Sequence, residues 1–142
     1  MKASSLAVLL FCAASVHAQL VVTVSPPKVT GSKAVVKLEM RNNFAQKVES
    51  AKAVCFLADE QGKVIGHATQ WVIGGNPERP PLEPGTTNVF NFVITLTGEN
   101  PRPSVESVST NLTARVTFSR VVLKGGKLAD ATKQVTVTPE TK

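Results

Sequence analysis

The sequence predicts an all-β domain of two packed sheets, with seven or eight short antiparallel strands behind a leader peptide. Three observations lead there. Beyond residue 18 the apolar residues recur at every second position, the period of a strand with one buried and one wet face. No stretch of that region keeps a helical period for longer than a turn or two. Short Gly-, Asn- and Asp-bearing connectors separate the alternating runs. The chain's 142 residues, 42% hydrophobic and 18% charged, suit one globular domain. That composition excludes a disordered chain, and two Cys exclude a disulfide scaffold.

The elements follow in order. Met1-Lys2 is a positive start, Ala3 to Ala14 is mostly apolar, and Val16-His17-Ala18 carries the residue sizes that a signal peptidase reads. Residues 1–18 are therefore expected to be a secretory leader. The apolar run falls short of the roughly 20 residues a membrane span needs. Leu9-Leu10-Phe11-Cys12 offers a second processing route, lipidation at Cys12, against which the bulky Phe11 speaks. Cleavage after Ala18 leaves a domain of residues 19–142 that begins at Gln19 and has lost Lys2, Cys12 and His17. Cys55 then stands alone, so the domain is expected to rely on its core, without a disulfide.

Strands are expected at Leu20 to Val24, at Val36, Leu38 and Met40, at Ala51 to Ala58, and at Lys63 to Ile73. Further strands are expected at Phe90 to Leu96, Leu112 to Phe118, Arg120 to Lys124 and Thr132 to Thr138. In Ala51 to Ala58 the inward face stays open, because Ala53, Cys55 and Leu57 compete with Val54 and Phe56. The expected inward set is Val36, Leu38, Met40, Val64, Phe90, Phe92, Ile94 and Leu96, followed by Leu112, Val116, Phe118, Val135 and Val137. Asn42-Asn43, Asp59 to Gly62 and Gly125-Gly126 read as hairpin connectors. Gly74 to Gly85 carries Pro77, Pro80, Pro81 and Pro84, and Asn100 to Ser104 carries Pro101 and Pro103. Proline has no amide proton for a ladder, so both stretches read as extended surface loops. Trp71 is placed at one end of the sandwich, entering the first of them. Strands of this number and spacing suggest an immunoglobulin-like β-sandwich, without the paired Cys of antibody domains.

Several of these segments together resemble a known family. Val36 to Asn43, Val48, Cys55-Phe56-Leu57-Ala58-Asp59, Gly62 to Gly66, and Leu82-Glu83-Pro84-Gly85 before Phe90-Asn91-Phe92 resemble the FxLYD group of bacterial exported β-sandwich domains. Ala58 stands where that group's name-giving motif has Tyr. The resemblance spans Lys33 to Leu96 and implies a sandwich fold and an extracytoplasmic setting. It transfers no catalytic residue.

The residues left for chemistry are few. A nucleophilic triad needs a base, and His67 is the one His after the leader. Cys55, in an apolar strand, reads as an inert core residue. One His, one Cys and Met40 fall short of a zinc or copper set, and Asp59-Glu60 with Gly62 lacks the alternating acids of a calcium loop. Gly125-Gly126-Lys127 lacks the lead of a phosphate loop. No cofactor or metal is expected.

The net charge is +6. The aromatics are expected to alternate inward, which argues against nucleic acid, because single-strand binders stack bases on exposed rings. The reading that follows is an exported, periplasmic or extracellular, non-enzymatic module that contacts another envelope protein and is weakly attracted to anionic surfaces. Its interaction loop is expected at Gly74 to Gly85, with Trp71, Arg79 and Leu82. Two alternatives stand beside it. A small secreted hydrolase would need two carboxylates about 5–9.5 Å apart in a cleft. A metal carrier would need His67, Cys55 and Met40 to converge.

Overall fold

The computed structural model describes residues 19–97, 107–108 and 111–140. The expected leader with Cys12, and the loop of Pro101 and Pro103, lie outside the described residues. Nine strands are described: β1 (Leu20–Val24), β2 (Lys28–Thr30), β3 (Lys33–Asn42), β4 (Val48–Ala58), β5 (Val64–Ile73), β6 (Thr87–Thr95), β7 (Ser107–Val108), β8 (Thr113–Leu123) and β9 (Val135–Pro139). They form a six-stranded and a three-stranded sheet, an all-β sandwich. No helix among the described residues is long and apolar enough to cross a membrane.

β3 is the spine of the larger sheet. One edge takes all of β6, and the other is shared, β2 pairing at Lys33–Val35 and β1 at Leu38–Asn42. β1 and β2 are separate because Ser25-Pro26-Pro27 lies between them, and prolines cannot donate to a ladder. Ser25 still holds the chain there: its amide donates to the Lys37 carbonyl at 2.9 Å, and its Oγ accepts from the Lys37 amide at 3.0 Å. β7 extends the sheet beside β2, and β9 runs parallel to β1. Every other pair is antiparallel, so the expected all-antiparallel arrangement differs at this one ladder. The smaller sheet is ordered β5-β4-β8.

The core fills the space between the sheets as the alternation requires. Val36, Leu38, Met40, Phe92, Ile94, Leu96, Val116 and Phe118 are buried, as are Leu20 and Val22 of β1. β4 turns Ala51, Ala53, Cys55 and Leu57 inward, which decides the face left open by the sequence, and its opposite face carries Val54 and Phe56 half-buried. Val64 departs from the expected set. It opens β5 beside the Asp59 turn and is 50% exposed. Phe90, Leu112, Val135 and Val137 are half-buried at the margin of the core.

The runs expected as two strands, Leu112 to Phe118 and Arg120 to Lys124, are one strand with a bulge. Ala53 pairs with Phe118 and Lys52 with Arg120, leaving Ser119 as the extra residue. A bulge reverses the inside-outside alternation, so Val116 and Phe118 before it and Val121 and Leu123 after it all face the core. The Asp59 turn is the expected hairpin: the Asp59 carboxylate accepts from the amides of Gln61 and Lys63, both at 2.9 Å. Gly125-Gly126 turns the chain back onto β8 as expected, the Leu123 amide donating to the Lys127 carbonyl at 2.7 Å and the Ala129 amide to the Val121 carbonyl at 2.9 Å. The hairpin stops at the single bridge of Val122 with Leu128, and the chain then crosses to the other sheet as β9. Asp130 fixes that crossing. The Thr132 hydroxyl donates to it at 2.6 Å and the Thr132 amide at 2.9 Å, which holds the carboxyl below its ordinary pKa.

Candidate functional site

The structure separates the three residues expected on the Gly74 to Gly85 loop. Leu82 is a core residue, 4% exposed, and offers nothing to a partner. It is drawn inward because the loop pairs with Val48 through two backbone hydrogen bonds of 2.9 Å. Asn42 adds a third tie. It is fully buried, and its amide nitrogen donates to the carbonyls of Leu82 at 2.9 Å and Gln46 at 3.0 Å, while its oxygen accepts from the Phe44 amide at 2.8 Å. Arg79 is spent inside the loop. Its guanidinium donates to the Trp71 carbonyl and lies 4.9 Å from the centre of the Phe90 ring. The turn out of β5 needs glycine twice. A Cβ on Gly74, at φ +55°, would lie 2.0 Å from the Glu49 carbonyl oxygen, and one on Gly75 would lie 2.5 Å from Trp71 Cγ. The loop is thus a strap fastened to both sheets; Arg79 and Trp71 are both half-buried, and of the three residues Trp71 is the one that lies on the outer face of a strand.

Trp71 stands two residues before the end of β5, against the Gly74 loop as expected. It lies within β5, on the outer face of the three-stranded sheet, where register sets three rows of side chains across β5, β4 and β8. Trp71, Lys52 and Arg120 form the first, Thr69, Val54 and Thr117 the second, and His67, Phe56 and Arg115 the third. Lys52 Nζ sits 5.5 Å from the centre of the Trp71 ring, and the Phe56 and His67 rings lie 6.1 Å apart. The face measures about 10 Å across two strand spacings and about 13 Å from the first row to the third. It combines three cations, two aromatic rings and threonines. Among the described residues no carboxylate pairs with Lys52, Arg115 or Arg120; Glu49, the one acid on these strands, accepts from the Gly125 amide at 3.2 Å.

The outer face of the larger sheet is different. Lys33, Lys37 and Arg41 project from β3, but Glu39 stands among them and the described strands of that face carry no aromatic residue. The expectation that the aromatics turn inward is therefore corrected at Phe56 and Trp71. Both were hidden by register: the alternation of β4 is ambiguous, and β5 carries an extra residue at Val72, where its pairing with Ala51 and Lys52 shifts. The legible signal was the run of β5 and β8 without a single acid.

The chemical alternatives can be placed as well. Cys55 faces the core, and burial pushes its thiol up to about 12, far from a reactive thiolate. His67 is exposed on the opposite face of the same sheet, and Met40 is buried in the other sheet, so the three ligands of a metal carrier do not converge. No group of three His, Cys, Asp or Glu able to hold a metal occurs among the described residues. A groove of about 380 Å³ opens between β8 and the ends of β1 and β9; its lining carries one carboxylate, Glu140, where glycoside chemistry needs two.

No family model matches the sequence, and no curated protein matches it. Solved structures do share the fold. A Bordetella pertussis protein described as ApaA superposes with a TM-score of 0.51 at 17% identity, covering 78% of this chain and 84% of that one. A structural-genomics target, SoR45, superposes with a TM-score of 0.52 at 14% identity, covering 80% of each chain. A β-glucuronidase of glycoside hydrolase family 2 is matched over only 13% of its length with a TM-score of 0.38, too weak a likeness to carry any chemistry across. The chain is similar to the first two in architecture, an all-β sandwich.

Proposed function

We propose that the protein is an exported, non-enzymatic binding module that engages an acidic envelope protein through the outer face of its β5-β4-β8 sheet. One observation carries the reading: Trp71, Phe56, Lys52, Arg115 and Arg120 share one face with no carboxylate among them. Aromatic residues and Arg are the residue types enriched where interfaces concentrate their energy. A sheet face also presents them without the ordering cost of a loop. The leader-like residues 1–18 and the resemblance to exported FxLYD domains support the location, and the burial of Cys55 and Leu82 leaves the surface as the place for function.

The test is site-specific photocrosslinking in the native host. A crosslinker at Thr69 or Thr117, in the middle row, is expected to capture an exported protein with an acidic segment, and one at Lys37 on the opposite sheet is not. Equal capture from both faces would overturn the reading. Mass spectrometry of the same products reports whether the chain begins at Gln19 or at a lipid-bearing Cys12.

A further inference from the structure

Among the described residues, one sheet edge stays open where the order of the chain would close it. Strands that follow one another usually pair or lie side by side. Here the chain after β8 meets it once, at Val122 and Leu128, and then joins the other sheet beside β1. From Thr113 to Ser119, no described residue pairs with the edge of β8 that faces away from β4. The unpaired amides and carbonyls of such an edge form a template for another strand. Seven residues give about 23 Å, room for a strand of ordinary length.

The side chains there fit an extended guest. The groove of about 380 Å³ along this edge is walled by Val24, Pro26, Ala114, Val116 and Val137, so the inner side takes small apolar groups. The outer side of the same edge carries Arg115, with Thr113 and Thr117, all exposed and continuous with the face described above. Glu140 also lines the groove, so the carboxylates of a guest belong on its outer side, beside Arg115. A second copy fits less well. Antiparallel pairing of two β8 edges would bring the two Arg115 side chains into neighbouring positions, between chains that are both net positive, and like charges so placed repel.

We infer that the free edge of β8 is a strand-addition site: an extended segment of the acidic partner, with small apolar residues alternating with carboxylates, pairs along Thr113 to Ser119. Its apolar side chains enter the groove and its carboxylates align beside Arg115. Main-chain hydrogen bonds supply the affinity and the alternation supplies the selectivity. The inference rests on the reading of the outer face as the surface for an acidic partner, since Arg115 belongs to both.

The probe is an eight-residue peptide alternating valine and glutamate. Its controls are a block peptide of the same composition, four valines then four glutamates, and an alternating peptide N-methylated at every second residue. Affinity is read by fluorescence anisotropy, and amide hydrogen exchange of the full chain is read residue by residue. The alternating peptide is expected to bind at least tenfold tighter than either control and to slow exchange in Thr113 to Phe118 by tenfold or more, leaving β5 unchanged. Ala114→Leu, which fills the groove, is expected to remove that advantage while the block peptide binds as before. Equal binding of all three peptides with no slowing in β8 overturns strand addition and leaves the acidic-partner reading standing; failure of every acidic peptide to bind overturns both. Concentration-dependent slowing in β8 without peptide assigns the edge to a second copy and overturns the inference.

Discussion

Asn42 shows how one side chain organises one end of this sandwich. It closes β3, where the chain must turn, and the turn leaves backbone groups without ladder partners. Its amide satisfies two carbonyls and one N–H at once, and one of those carbonyls, Leu82, lies forty residues away. The backbone of Asn42 completes the junction: its amide donates to Thr86 at 3.0 Å, and its carbonyl accepts from Gly85 at 2.7 Å. The Asn turn and the Leu-Glu-Pro-Gly turn, two separate features along the sequence, are therefore one structural unit. Asn42→Ala strands buried polar groups, at about 1–3 kcal/mol each, and is expected to lower stability in urea unfolding by about 3 kcal/mol. Asn42→Asp is expected to do at least as much harm, because a carboxylate keeps the contact to the Phe44 amide but meets two carbonyl oxygens with no proton to offer. A loss below about 1 kcal/mol in both variants would remove Asn42 from this role. Sequence reading saw a turn former here and a surface leucine at Leu82; the bond that joins them depends on three-dimensional proximity that no local spacing encodes.

Among the elements, the long strands were legible because burial on one face writes a period of two into the sequence. β1 was read with its bounds, and β3, β4, β5 and β6 were each found where the alternation runs. What escaped were features that break the period or are too short to show one. β2 and β7 have three and two residues. β9 alternates as expected, but nothing in Val135 to Pro139 says whether its partner is β8 or β1. The bulge at Ser119 matters most, because it made one strand read as two and placed Arg120 on the same outer face as Arg115. Removing the bulge gives a sharp expectation. Deleting Ser119 brings Phe118 and Arg120 together opposite Ala53 and Lys52, and the regular alternation that results keeps Phe118, Val121 and Leu123 inward and Arg120 outward. The deletion is therefore expected to fold with its chemical-shift dispersion retained and a stability change of about 1 kcal/mol. Ser119→Ala, which keeps the bulge and loses one exposed hydrogen bond of 3.3 Å to the Lys52 carbonyl, is expected to change stability by no more than about 0.5 kcal/mol. Collapsed dispersion in the deletion variant would mean that the bulge itself, and not the alternation on either side of it, holds β8 against β4.

For the molecule as a whole, the question is whether its positive charge acts through its sum or through its placement. A net charge of +6 gives any acidic partner a general attraction, and both outer faces carry cations. Distance decides between the two. The sheets pack about 10 Å apart, so cations on opposite outer faces are separated by more than the Debye length of about 8 Å at physiological ionic strength. Under those conditions a bound acid senses the face it touches, and the far face is screened. Two double variants make the comparison fair, since Arg115→Ala with Arg120→Ala and Lys33→Ala with Lys37→Ala each lower the net charge by two. Exposed ion pairs are worth up to about 1 kcal/mol each, so losing two on the contact face is expected to weaken binding of a polyglutamate chain about tenfold in 0.15 M salt. The Lys33 and Lys37 pair is expected to change it by less than about twofold. At 0.01 M salt, where the Debye length grows to about 30 Å and spans the sandwich, the two variants are expected to converge. Equal losses already at 0.15 M would show that net charge alone attracts the polymer, and the alignment of Lys52, Arg115 and Arg120 beside Trp71 and Phe56 would carry no recognition.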